Sequence, residues 1–326
     1  MGLIIVCGTI MNTFSRREFL TTMTAAALAT PVCGLAQGAQ SSLGALKLCV
    51  FSKHLLFLRD YDEMAAAAAE AGFDGVDLAV RPQGHVLPEN VERDLPKAAA
   101  AVKRAGLETC MMTTAITGVE EPATEPTLRT ASDHGIRYYR MGYLNYNDQL
   151  GIARSLEALK PRLEALAGCN EKYGIHGAYQ NHAGTRVGGP VWDLWVLLKD
   201  INPQWLGCQY DVRHATVEGG ISWPLGLKLL VPWIRITAIK DFVWTREKGK
   251  WAAGSVPLGQ GMTDFKTYFR LVKDLAIRGP ISMHFEYPMT AQPEKSMPKA
   301  EARKQVVAAM KKDVATLRQW LKQAQL

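Results

Sequence analysis

Cysteine is scarce and scattered in this sequence, with six in 326 residues. No Cys-x-x-Cys pair occurs, which removes zinc-ribbon sites and dithiol redox chemistry. Histidine is limited to seven residues. Blocks of like charge are also missing: the formal charge is +7, yet only Lys311-Lys312 and the stretch from Arg246 to Lys250 form small basic clusters. A solvated surface explains that balance, and no nucleic-acid partner is expected. No linker-like shift in composition divides the chain. The weakly apolar run Thr21 to Val32 is too short for a lasting membrane span, so no membrane anchor is expected.

The composition that remains is ordinary for a globular protein, 48% hydrophobic and 21% charged. Ser15-Arg16-Arg17-Glu18-Phe19-Leu20 reads as a twin-arginine export signal, and small residues at Gly34-Leu35-Ala36 and Ala36-Gln37-Gly38 offer cleavage sites. The expected division is a signal peptide over residues 1–40 and one domain over 41–326. The twin-arginine export machinery is then a partner, and the mature protein is periplasmic or otherwise exported. That machinery carries folded cargo, which favours an enzyme loaded before export. Cys49, Cys110, Cys169 and Cys208 stay with the mature chain and read as small buried hydrophobes.

From Leu46 onward, short apolar runs alternate with helical segments. Gly72, Gly106, Gly135, Gly174 and Gly279 each stand shortly before such a run, the place of a helix-ending glycine. Eight strands are expected, starting near residues 46, 75, 107, 136, 175, 205, 233 and 280. Apolar runs of this kind are parallel strands covered by helices. Eight such units close as a (β/α)₈ TIM barrel, whose usual length of about 250 residues suits the mature chain.

Barrel enzymes carry their chemistry where strands end. The expected strand ends are rich in polar residues: Arg81 and His85, Thr113-Thr114, Arg140 and Tyr143, Gln180-Asn181-His182, Asp211 and His214, Lys240-Asp241, and His284-Phe285-Glu286. Period-two alternation puts Gln180 with His182, and His284 with Glu286, on common faces. Asp211-x-x-His214 brings a carboxylate and an imidazole to one place; the plainer reading is a helix cap. The long connection from Asp241 to about Asp264 carries Trp244 and Trp251 and reads as a lid or substrate wall.

On Ala71-Gly72-Phe73-Asp74-Gly75-Val76-Asp77-Leu78, Asn181-His182, Asp211-x-x-His214, Lys240-Asp241, Leu258-Gly259-Gln260-Gly261 and Glu286, the chain resembles the sugar phosphate isomerase/epimerase family with its xylose-isomerase-like TIM barrel. The resemblance implies one divalent ion, Mn²⁺ or Mg²⁺, held by a Glu, an Asp, a His and a Glu on the last four strands. Asp211 and Glu286 match. Gln180 stands in the first place and Ala238 in the third, leaving Gln180, Asp211, Glu286 and His284 as candidate metal ligands, with His182 a further donor. The alternative is a metal-free site in which Lys240 supplies the positive charge.

The implied reaction is proton transfer beside the carbonyl of a free or oxidised sugar or glycoside. Glu286 is the candidate base, His182 or His214 its partner, and the metal or Lys240 the electrophile. Arg81, His85, Arg140, Asn181 and Trp244 are candidate substrate-binding residues. Two other readings remain open: a keto-sugar lyase or dehydratase using the same groups, and a non-catalytic sugar-binding protein. A DNA-repair endonuclease of the same superfamily needs more histidine and no export signal.

Overall fold

The alternation of apolar runs and amphipathic helices closes on itself. The structure, a computed structural model, describes residues 46–292 and 296–326. Residues 1–40, with Arg16 and Arg17, lie outside the described residues. Eight parallel strands form a closed barrel: β1 (Lys47–Phe51), β2 (Gly75–Val80), β3 (Glu108–Thr114), β4 (Tyr138–Arg140), β5 (His176–Gln180), β6 (Leu206–Asp211), β7 (Ile234–Ile239) and, after a two-stranded insertion, β10 (Pro280–Met283). The barrel shuts where Leu48 pairs with Ile281. The widest departure from the sequence expectation is β4, which begins at Tyr138.

Local chemistry explains the elements. Helix α1 (Tyr61–Ala71) starts where the Asp60 carboxylate accepts the Glu63 amide proton at 3.0 Å, and stops at Gly72, whose φ of 89° suits a residue without Cβ. Its inner face is alanine, so the helix lies close on the barrel; Ala67 and Ala68 have no exposed surface. A larger side chain there would cost about 1–3 kcal/mol in overpacking. The outer ring continues with α2 (Val91–Arg104), α3 (Thr124–Asp133), α4 (Gly151–Tyr173), α5 (Val191–Leu198), α6 (Val212–Gly219), α7 (Trp223–Leu230), α8 (Phe265–Asp274) and α9 (Lys299–Ala324). Inside the barrel, Met111, Ala178 and Ile236 from alternate strands β3, β5 and β7 form a packed layer. No helix among the described residues is long and apolar enough to cross a membrane.

The long connection after β7 is a hairpin, not a loop. Strands β8 (Asp241–Glu247) and β9 (Lys250–Val256) pair antiparallel around Lys248 and Gly249, both with positive φ. Two consecutive residues of positive φ between aromatic and β-branched neighbours make the tight turn that matches strand twist. Its base is held by Asp241, whose carboxylate accepts amide protons from Phe242 (2.9 Å), Gly259 (3.1 Å), Gly261 (2.9 Å) and Thr263 (3.2 Å). A Cβ on Gly261 would lie 2.1 Å from that carboxylate, so the Leu258-Gly259-Gln260-Gly261 run exists to close around Asp241.

Candidate active site

Asp211 ends β6 and caps α6. Its Oδ1 accepts the His214 amide proton at 3.0 Å, so the plain helix-cap reading holds. Oδ2 is left for other work: Gln180 Nε2 donates to it at 2.8 Å and Lys240 Nζ lies 3.4 Å away. Asn181 braces the Asp211 backbone, donating to its carbonyl at 3.0 Å and accepting from its amide at 2.8 Å. Lys240, at the end of β7 and 2% exposed, also reaches Glu286 Oε2 at 3.3 Å. The other Glu286 oxygen accepts from Lys53 at 2.8 Å. The mouth therefore carries an alternating row of charge, Asp211, Lys240, Glu286, Lys53.

Burial alone would raise the Glu286 pKa, but the charges of Lys240 and Lys53, with the Lys53 hydrogen bond, outweigh it and hold the carboxyl well below the usual range. It is ionised, and its side chain keeps 28% of its surface in solvent.

Gln180 is oriented by its neighbours. Arg140 Nη1 (2.9 Å) and the Tyr143 hydroxyl (2.8 Å) both donate to its Oε1, which turns the amide NH₂ toward Asp211. These donors do not fit a divalent ion. An ion bound by Asp211 and Glu286 would meet the Lys240 ammonium and the Gln180 NH₂, neither of which can donate a lone pair to it. Among the described residues, no three His, Cys, Asp or Glu side chains converge as a metal site. His284, expected as a further ligand, sits with its ring 5.0 Å from that of Phe51, and both its nitrogens are buried without a partner.

The histidines divide by tautomer. Arg213 has only protons to give, so its 3.0 Å contact makes His214 Nδ1 an acceptor and leaves the proton on Nε2, which is buried, unpaired and 3.7 Å from Asp211 Oδ2. His182 is the reverse: Nδ1 donates to the Ala183 carbonyl at 2.9 Å, which leaves the lone pair on Nε2. The two rings lie 3.8 Å apart between centroids. Burial first and the Lys240 charge second push both imidazoles down, His214 far down, so both are neutral at pH 7. His284 is likewise held neutral by burial and by Lys240 and Lys53.

Of the residues expected from sequence, the structure brings together Gln180, His182, Asp211, His214, Lys240 and Glu286, with Arg140 one hydrogen bond away. Arg81 stands at the same mouth, its guanidinium 5.2 Å from the centre of the Phe51 ring. Three candidates sit elsewhere or are otherwise engaged. Both His85 nitrogens are at 3.1 Å from partners, the Ser52 hydroxyl and the Leu58 carbonyl, and burial pushes its pKa down to about 4. Both ends of the Asn181 amide hold Asp211. Trp244 is 42% exposed on the hairpin, packed edge-on to Phe242. Sequence reasoning missed Lys53, which pairs with Glu286, although it follows β1 closely as the other site residues follow their strands. Tyr143 and Arg213, which orient Gln180 and His214, also went unassigned.

Among solved structures the fold is similar to L-ribulose 3-epimerase (TM-score 0.62, 13% identity, 86% of this chain and 96% of that one). It is also similar to a probable 3-DHS dehydratase from Bacillus anthracis (TM-score 0.58, 14% identity, 82% and 97%). A third likeness is to a xylose isomerase-like TIM barrel protein from Mycobacterium smegmatis in complex with magnesium (TM-score 0.57, 14% identity, 83% and 99%). At these identities the likeness shows the fold alone. No curated protein matches the sequence. The family model described as xylose isomerase-like TIM barrel matches residues 65–313, most of the chain, and the protein belongs to that family.

Proposed function

We propose that this protein is a sugar isomerase or epimerase that moves a proton at a carbon beside a carbonyl. The observation that supports this most is the Lys240 ammonium buried between Asp211 and Glu286, beside a neutral His182 whose Nε2 lone pair has no proton to give. A carbonyl oxygen placed at Lys240 gains a full positive charge where an enediolate forms, the kind of preorganised stabilisation that lowers such barriers most. His182 Nε2 takes the C–H proton. The C–H electron pair becomes the C=C bond of the enediolate, and the carbonyl π pair moves to oxygen. In this scheme His214 Nε2–H donates to the second oxygen. Glu286 is kept weakly basic by its two lysines, so it suits relaying a hydroxyl proton better than removing one from carbon. Return of the C–H proton to the neighbouring carbon, with Glu286 carrying the hydroxyl proton to the first oxygen, completes an isomerisation; epimerisation needs a proton delivered to the opposite face of the enediolate. Every charge in this scheme comes from side chains, and no step runs through a metal.

The substrate class that suits these groups is a small carbohydrate with a carbonyl. Incubation with free, phosphorylated and 3-keto sugars in deuterated water tests the reading: C–H signals next to the carbonyl should exchange. Loss of water from the product instead would make the enzyme a dehydratase. Tight sugar binding with no exchange would sink the catalytic reading and leave a binding protein. We further infer export through the twin-arginine pathway, supported by Arg16-Arg17 and the run after them. Changing both arginines to lysine should abolish export and leave the barrel folded; an unchanged exported fraction removes that inference.

A further inference from the structure

Positive charge exceeds negative at the mouth; on the β6 side the Arg213 guanidinium is turned to His214 and the Ala253 carbonyl. Lys240 and Lys53 have carboxylate partners in Asp211 and Glu286. Arg81 and Arg140 do not: among the described residues neither forms an ion pair, and the Arg140 hydrogen bonds to side chains go to neutral Gln180 and Tyr143. Arg140 is 5% exposed, and its Nε–H is buried with no acceptor. The two guanidiniums share one ring, Arg81 at 5.2 Å and Arg140 at 5.8 Å from the centre of Phe51, with Lys53 at 5.2 Å. The anion below them is already engaged: Asp77 accepts from Thr113 at 2.9 Å and from Ser282 at 2.6 Å. A buried guanidinium with an orphaned N–H, beside a second that is half-buried, forms a site lacking its anion.

We propose that Arg81 and Arg140 form the subsite for an oxyanion group carried by the sugar, a carboxylate or a phosphate, so that the substrate is an acidic sugar. Guanidinium forks match either group with paired hydrogen bonds. The Phe51 ring beneath holds both forks by cation–π contact and keeps water from one face. The anion sits at the β1–β4 side of the mouth and the reacting carbonyl at Lys240 on β7, which orients the sugar between them.

This inference rests on the sugar reading of the site, and one set of measurements separates the two. Binding of D-fructose, 2-keto-D-gluconate and D-fructose 6-phosphate to the full chain is measured by calorimetry at low and high salt. At least one acidic probe should bind about tenfold or more tighter than fructose, and salt should erode the difference. The tighter of the two identifies carboxylate or phosphate. Arg81→Gln should remove most of the acid preference, while Arg81→Lys should retain part of it. Thermal melts confirm that both variants are folded, and a misfolded Arg81→Gln leaves the comparison to Arg81→Lys and the salt series. Equal binding of neutral and acidic probes, or an acid preference that survives Arg81→Gln, overturns the subsite and leaves the sugar reading standing. Binding of none of the three overturns both.

Discussion

Two buried carboxylates, Asp77 within β2 and Asp211 at the end of β6, stand on different sides of the same barrel and have opposite surroundings. Asp77 on β2 is held by hydroxyls alone, Thr113 from β3 and Ser282 from β10, and burial raises its pKa despite those bonds. Asp211 on β6 has one oxygen committed to a helix cap and the other facing an ammonium and an amide. The first carboxylate ties neighbouring strands together; the second belongs to a row of charge open to the mouth. Burial is therefore a poor guide to role. The partners decide it: neutral donors hold a carboxylate in place, while a cation beside it can be shared with a substrate.

Four experiments would break or sharpen that contrast. The largest effect is expected from Lys240→Met, which removes the cation between Asp211 and Glu286 and leaves Asp211 with none: unfolding in urea should show a loss of about 3–5 kcal/mol, and deuterium exchange should fall by about a thousandfold. Next, Asp211→Asn should slow exchange by about a hundredfold, whereas Asp77→Asn should cost about 1–3 kcal/mol of stability and change exchange only a few-fold. If both variants behaved alike, the contrast would be lost.

A third experiment concerns metal. Wild-type protein should take up no Mn²⁺ measurable by calorimetry, because an ammonium occupies the space between the carboxylates. Gln180→Glu combined with Lys240→Ala removes that ammonium and adds an anionic oxygen, and should gain binding; uptake by the wild type and none by the double variant would reverse the argument.

The smallest effect is on pH. Burial pushes His85 and His176 each down to about 4 in the folded state. The unfolded chain protonates them near the usual value of about 6.5, so it binds more protons between these limits. Their contribution is complete above about pH 6.5 and is lost as the pH falls toward 4. Urea midpoints recorded from pH 7.5 to 4.5 should decline over that window, and a flat series would contradict it.

The fold was legible because its punctuation is local. Gly72, Gly106, Gly135 and Gly174 adopt positive φ at helix ends and the apolar runs behind them became strands at nearly the expected starts, whereas in the last unit Ala276, at φ 52°, ends α8 and Gly279 only stands in the turn before β10. The site was legible as positions and less so as orientations. Gln180 could be placed at a strand end, yet which end of its amide faces Asp211 depends on Arg140 and Tyr143, forty and thirty-seven residues away in the chain. His85 looked like a rim residue because its partners, Ser52 and the Leu58 carbonyl, come from the preceding unit. The hairpin was hidden because Lys248-Gly249 is a weaker turn signal than Asn-Gly, and exposed strands carry mixed side chains.

The clasp at Asp241 has a consequence for how this barrel can change. The residue that begins the hairpin follows Lys240 directly, and its carboxylate also binds the returning chain at Gly259, Gly261 and Thr263. The insertion therefore leaves and re-enters the barrel through a single knot. The outer turn of the hairpin, with Trp251, can be lengthened, trimmed or exchanged without moving the lysine behind it, whereas nearer the knot the Ala253 carbonyl holds Arg213 at 2.7 Å and, through it, His214. New specificity can be tried at the tip while the proton chemistry stays where it is.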